Sequence, residues 1–341
     1  MSRRISAIAR HMAPDAPAPA PPMSSAIVPA AAAAADTNWG GAWGQTYDFN
    51  HPPPQYPLCT CSPSLRAFFE SQGSGCADNT CKQKLLDGKQ VFSYTIEKLD
   101  VEFYLEVRLH YDFIWFEMQH STMTYADVET MIAAGEATGV PGATPFLRIP
   151  DELESTLQKA TDIGCLGLIL PTVDTPEQAQ AVAKFARYPP VARRSTGAGQ
   201  APAVWGNNYA DSYNDNVVVV VMIETPVGVA NAYEIANVPG VDVVIIGNFD
   251  LHRFSGIAMD DPLYHKMVSD IRDGVVRAGK IFGTANYIYS EPSESRGEFE
   301  VSDDAFFFQN GPSHDGYQPP KKASAAIKGY SGPSEKEKKD A

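Results

Sequence analysis

Apolar runs of strand length recur through the middle of the chain. They read VFSYTI (Val91–Ile96), FIWFEM (from Phe113), TPFLRI (Thr144–Ile149) and GLILP (Gly167–Pro171). They continue as VVVVVMIE (Val217–Glu224), VDVVIIG (Val241–Gly247), IFGTAN (Ile281–Asn286) and AFFFQN (Ala305–Asn310). These runs are apolar at successive positions, as parallel strands covered on both faces should be. Between them lie segments with helical spacing: TYADVETMIAAGEATG, ELESTLQKATDIG, TPEQAQAVAKFARY and GVANAYEIANV. In the third of these, Ala179, Val182, Ala183 and Phe185 are expected to form one apolar face. Eight strands alternating with helices over roughly 250 residues predict an α/β fold of the (β/α)8 TIM-barrel type. A doubly wound open sheet is the alternative, but no G-x-G-x-x-G follows the first strand.

Both ends of the 341-residue chain depart from this rhythm. Residues 1–45 are rich in Ala, Pro and Ser without periodicity, which predicts a disordered leader. Its opening, MSRRISAIARHM, has three Arg and no acid, with Ile5, Ile8 and Met12 at helical spacing. That pattern suits an organellar transit peptide and, more faintly, a twin-arginine signal. A cytoplasmic location is the expectation and an organelle matrix the alternative. Residues 46–81 form an extension carrying Cys59, Cys61, Cys76 and Cys81, residues 82–320 the barrel, and residues 321–341 a polar tail. The C-x-C and C-x4-C spacings are not those of a zinc site, so surface thiols, or disulfides in an exported chain, are expected there. The formal charge of −14 opposes binding to nucleic acid or to an anionic membrane. No apolar run is long enough to span a bilayer.

On a barrel, chemistry gathers at the C-terminal ends of the strands. Glu117 and His120 follow the second strand, Arg148 ends the third, Glu224 ends the fifth and Asp250 lies just past the sixth. A lone strand-end carboxylate is ordinarily solvated and a lone Arg ordinarily forms a surface pair. Convergence of five such groups from four strands favours a site. Glu224 and Asp250 are hard oxygen ligands suited to Mg2+ or Mn2+ completed by water and substrate oxygens. Arg148 is a fixed cation for an enolate or carboxylate, and His120 a base near neutral pH. In GNFD (Gly247–Asp250) the backbone N–H groups are placed to bind a substrate carboxylate. No lysine ends a strand in this set, so a Schiff-base aldolase lacks its nucleophile.

From about Lys82 to Gly256 the chain resembles the HpcH/HpaI family of class II, metal-dependent pyruvate aldolases. The matching words are FEMQHS, FLRIP, ATDIGCLGLILPTVDTPEQA, ARYPPVARRSTG, VVVMIETPVGVANAYEIANVPGVDVVIIGNFDL and FSG. The resemblance implies that Glu224 and Asp250 bind a divalent ion (Mg2+, Mn2+ or Co2+) and that Arg148 steadies the enolate oxygen. It implies that His120 is the general base, and that Asp162 of TDIG reaches the corresponding His of a neighbouring subunit in a homo-oligomer. Phe249 and Asp250 match the backbone positions that hold the pyruvate carboxylate, in a substrate-binding turn with Gly247 and Asn248. The reaction implied is aldol cleavage of a 4-hydroxy-2-oxo acid to pyruvate and an aldehyde. Decarboxylation of oxaloacetate through the same enolate is one alternative, and a drifted barrel acting as a binding or accessory domain is another.

Several positions depart from the family. Glu117 stands where many members have Asp, so a longer side chain is expected at the rim, reaching the metal shell or His120. Met222 replaces the common Gln two residues before the metal Glu, and Asn248-Phe249 replaces Pro-Ser or Pro-Ala. Arg194 aligns with a family Arg and Arg193 is additional. Beyond Gly256 the likeness fades: FFFQNGPSHDGYQPP differs from the family's final strand, and its prolines leave little room for an exchanged C-terminal helix.

Overall fold

The computed structural model describes residues 79–197, 199–206, 209–284 and 305–319. The leader, the extension with Cys59, Cys61 and Cys76, and the polar tail lie outside the described residues. Helix α1 (Thr80–Leu86) precedes β1 (Val91–Ile96), α2 (Val101–Val107), β2 (Phe113–Glu117), α3 (Tyr125–Ala137), β3 (Thr144–Arg148) and α4 (Glu154–Asp162). Next come β4 (Gly167–Leu170), α5 (Pro176–Ala186), α6 (Ala201–Trp205), α7 (Tyr209–Asn216) and β5 (Val218–Ile223). The chain continues through α8 (Pro226–Ala230), α9 (Ala232–Ala236), β6 (Val243–Ile246), α10 (Asn248–Ser255), α11 (Pro262–Arg277), β7 (Ile281–Thr284) and β8 (Ala305–Phe308). The strands pair in parallel and in chain order, and β8 bonds back to β1 to close the barrel. All eight apolar runs are therefore strands, and the open sheet is excluded.

Alternation within each strand explains why the runs are apolar throughout. One set of alternate residues fills the barrel interior, including Phe113, Trp115, Phe146, Ile169, Val220 and Ile245. The other set, including Ile114, Leu147, Leu168 and Val244, packs outward against the helices. Both sets leave water, so both must be apolar. The helices begin with strong stops. Thr124 and Thr175 each close a capping box, with Asp127 and Gln178 respectively. In α5 the buried stripe is Ala179, Val182, Ala183 and Ala186. Phe185, expected close to that face, is half-buried and packs against the core from its side, under Arg193, while Ala186 completes the i, i+3, i+4, i+7 pattern.

The lower mouth is plugged by α1. Cys81 and Leu85 pack among the interior side chains, and the Lys82 ammonium donates to the Val217 carbonyl at 2.9 Å. Cys81 is fully buried and free, against the expectation of a surface thiol or a disulfide. At the other end of the chain, FFFQNGPSHDGYQPP does supply a final strand, because Ala305–Phe308 pairs with both β7 and β1. Residues 309–319 form no helix. They are tied down by the His314 N–H on the His110 carbonyl at 2.9 Å, and by Tyr317 stacked on the His110 ring at 4.0 Å.

One glycine sets the interior packing. A Cβ on Gly167 would lie 2.1 Å from the Phe146 ring, on the paired strand. Gly167→Ala is expected to lower stability by about 1–3 kcal/mol, the usual cost of overpacking a core. Denaturant midpoints measure it, and adding Phe146→Leu should recover part of the loss. Strictly additive losses would show that the two positions do not share one space.

Candidate active site

Continuing the inward-facing parity of the strands past the apolar interior leads to the site. Two residues beyond Trp115 comes Glu117, two beyond Phe146 comes Arg148, two beyond Met222 comes Glu224, and two beyond Ile245 comes Gly247. The same pleat that fills the barrel with apolar side chains thus crowns it with charged ones. Glu117, Arg148 and Glu224 are all buried.

Glu117 and Arg148 face each other directly in the β2–β3 register. Arg148 Nε and Nη2 both lie 2.5 Å from Glu117 Oε2, which also accepts the Trp115 indole N–H at 3.2 Å. Glu117 Oε1 accepts the backbone N–H groups of Gln119 at 2.8 Å and His120 at 2.9 Å. Both oxygens are therefore committed. Glu117 is buried beneath the rim and meets His120 only through its main chain, so it fixes the turn that carries the imidazole. The His120 ring itself is exposed and makes no hydrogen bond to another described residue. Arg148 stacks over Trp115, with its guanidinium carbon 5.5 Å from the ring centroid, and its Nη1 lies 3.9 Å from Met222 Sδ.

Glu224 is placed differently. Its Oε2 accepts the Thr172 N–H at 2.7 Å and the Thr172 hydroxyl at 2.9 Å. Its Oε1 lies against Gly247, where any Cβ would sit 2.0 Å from it. Glycine is required there so that the carboxylate can cross to the β6 side. Burial pushes the Glu224 carboxyl above its ordinary value. The Thr172 bonds pull it back, the Asp250 charge pushes it further up, and the Arg148 charge lowers it. Thr172 has φ of +50°, a left-handed backbone that a β-branched residue adopts only under constraint. Sequence reading did not find Thr172 or Trp115. Trp115 had a visible signal, its i, i+2 spacing to Glu117, whereas the turned backbone of Thr172 leaves none.

Beyond β6 the chain turns directly into α10. Its first intrahelical bond runs from the Leu251 N–H to the Gly247 carbonyl at 2.9 Å. The N–H groups of Asn248, Phe249 and Asp250 are therefore first-turn donors without an intrahelical acceptor, at the positive end of the helix. Asn248 is buried with its side-chain Oδ1 unpaired among the described residues, while Phe249 is exposed. Asp162 lies elsewhere. It ends α4, which returns from the Arg148 end of β3 to the start of β4, so it sits at the opposite mouth. There Arg194 Nη2 donates to its Oδ1 at 2.7 Å, and Arg194 is buried among Tyr188, Tyr209 and Tyr213. The structure thus brings Glu117, Arg148, Glu224 and the Gly247–Asp250 turn together, with His120 at the edge, and leaves Asp162 apart.

Residues 106–311 match the family model described as HpcH/HpaI aldolase/citrate lyase. The match extends past Gly256 through β8. The chain is 34% identical over 180 residues to a hydroxypyruvate/pyruvate aldolase of Rhizorhabdus wittichii, covering 52% of this chain and 70% of that one. It is 32% identical over 178 residues to a 2-keto-3-deoxy-L-rhamnonate aldolase of Shigella sonnei, covering 51% and 65%. Among solved structures, an HpcH/HpaI aldolase from Desulfitobacterium hafniense superposes with a TM-score of 0.57 at 23% identity, covering 67% of this chain and 90% of that one. Macrophomate synthase superposes at 0.58 and 19% identity, covering 69% and 83%. At these identities the structural likeness is one of fold. With the family model spanning the barrel from α2 to the end of β8, the chain belongs to the HpcH/HpaI aldolase/citrate lyase family.

Proposed function

We propose that this protein is a divalent-metal-dependent lyase that cleaves 4-hydroxy-2-oxo acids to pyruvate and an aldehyde and catalyses the reverse condensation. The observation that carries the reading is geometric: Arg148 and Glu224 are both buried at strand ends of inward parity, and Glu224 Oε1 lies against Gly247, which opens the turn leading to Asp250. The names of the relatives support the substrate class, because hydroxypyruvate, pyruvate and 2-keto-3-deoxy-L-rhamnonate are all 2-oxo acids.

Glu224 and Asp250 are the residues that would hold the cation. Two mutually repelling carboxylates, one of them buried, are the donor set a hard divalent ion neutralises. Among the described residues no group of three or more His, Cys, Asp or Glu side chains is arranged to hold a metal ion. Two protein ligands suit Mg2+, Mn2+ or Co2+ finishing its shell with water and substrate oxygens. When bound, the ion supplies Lewis-acid polarisation of the 2-oxo oxygen. The first-turn N–H groups of α10 receive the substrate carboxylate. Arg148 donates to the 2-oxo oxygen as negative charge develops there. His120 takes the 4-hydroxyl proton while the C3–C4 bond breaks and its electron pair passes into the pyruvate enolate; protonation at C3 completes the cleavage. Glu117 positions Arg148 and the His120 turn. Asp162, held by Arg194 at the other mouth, serves the site of a second copy in a homo-oligomer.

Incubating the protein with each metal and several 4-hydroxy-2-oxo acids tests the reading. Pyruvate release that stops on chelation is expected, and no release from any of them would sink it. Glu224→Gln and Asp250→Asn should each abolish metal binding by titration calorimetry while leaving the fold intact. His120→Ala should keep the metal but lose roughly two to four orders of magnitude in rate. Arg148→Lys should lose much of the rate although the charge is kept, because a point cation cannot replace the planar fork.

The raised Glu224 carboxyl also has a stability signature in the metal-free protein. A carboxyl that binds its proton more tightly in the fold than in the unfolded chain stabilises fully below its unfolded value near 4.5, and that stability is lost as pH rises through the raised value. Glu224→Gln should therefore melt higher than wild type at neutral pH without metal, with the difference shrinking as pH falls below that value. A constant difference across pH would contradict the assignment.

A further inference from the structure

We propose that Trp115 is a positioning residue for the site: its indole N–H and its ring face together fix the plane in which Arg148 presents its guanidinium. The inference rests on the reading of Arg148 above and adds a residue beneath it.

Trp115 is fully buried in the apolar interior, one inward step below Glu117 and beside Phe146. A buried indole N–H needs an acceptor, and here it is Glu117 Oε2 at 3.2 Å, the same oxygen that receives both Arg148 nitrogens. The ring lies under the guanidinium carbon at 5.5 Å, within cation–π range. Arg148 is thus held by a carboxylate oxygen through two of its nitrogens, with its guanidinium carbon over an aromatic ring. The carboxylate is in turn kept from rotating by the indole and by the Gln119 and His120 backbone donors. The remaining Arg148 nitrogen, Nη1, meets among the described residues the Met222 thioether, at 3.9 Å, a weak acceptor that leaves its hydrogens available to a substrate oxygen. Without the indole, Oε2 keeps Arg148 but gains freedom to turn, and the fork turns with it.

Two variants separate the N–H from the ring. Trp115→Phe keeps an aromatic face and deletes the donor. Benzothienylalanine incorporated at 115 keeps the volume as well, so it answers the question even if the Phe variant fails to fold. In wild type the Arg148 Nε–H should give a slowly exchanging nitrogen-15 NMR signal that both substitutions shift and speed up. An unchanged signal overturns the proposal whatever the enzyme does. On catalysis, the expected loss in kcat/KM for cleavage is roughly ten- to a hundredfold, the scale of one hydrogen bond to a buried charge. Mn2+ affinity should stay at the wild-type value.

A double-mutant cycle distinguishes positioning from bulk packing. In an Arg148→Lys background, Trp115→Phe should cost little further, because the fork it orients is gone. An equal loss in both backgrounds overturns the proposal. A wild-type protein inert towards 2-oxo acids, but with the Arg148 signal responding as expected, would leave Trp115 as the anchor of Arg148 and refute the lyase reading instead.

Discussion

The buried pair of Glu117 and Arg148 is the constraint to which the rest of the site answers. Taking two opposite charges out of water costs several kcal/mol per ion unless geometry and further hydrogen bonds offset it. Here the offset is nearly complete on the carboxylate side. Five donor groups from four residues account for its two oxygens. Two of those donors belong to the turn after β2, so the ion pair and the shape of the rim are fixed by one set of bonds. The rigid cation at the top of β3 and the place of His120 are two consequences of a single interaction.

Glu224 shows the opposite solution for a buried carboxylate on the same barrel. It has one residue, Thr172, donating to one oxygen, and an anion nearby rather than a cation in contact. Its burial is therefore under-compensated, and its affinity for a proton rises. A group in that condition binds a cation more readily than one already satisfied, which is the physical reason the proposed metal is assigned to Glu224 and Asp250 rather than to Glu117. Strain has been placed to keep it so. The left-handed Thr172 backbone aims two donors at one oxygen, and Gly247 keeps the space for the other open.

Much of this was legible in the sequence, for a physical reason. A barrel buries both faces of every strand, so the strands announce themselves as continuous apolar runs, and the first polar residue of inward parity marks the mouth. That rule alone locates Glu117, Arg148 and Glu224. It does not say what each carboxylate touches, which depends on the register between strands. Glu117 was expected to reach the metal shell or the His120 ring; the β2–β3 register instead puts Arg148 opposite it and consumes both oxygens. Phe185 packs against the core from the side of the α5 stripe, and Ala186, which the seven-residue period selects, is the fully buried position. The partnership of Asp162 with Arg194 crosses a loop of irregular structure, and no spacing rule predicts such a contact.

The central claim is that one bound cation, held by the Glu224–Asp250 pair, makes the enolate of a 2-oxo acid accessible. Exchange of the pyruvate methyl protons for deuterium, followed by proton NMR in D2O, measures that step without any need to know the aldehyde. The account predicts exchange by the wild-type protein with Mg2+, none after chelation, and none from Glu224→Gln at any metal concentration tested. Exchange that persists without metal, or in the Glu224→Gln protein, would contradict it.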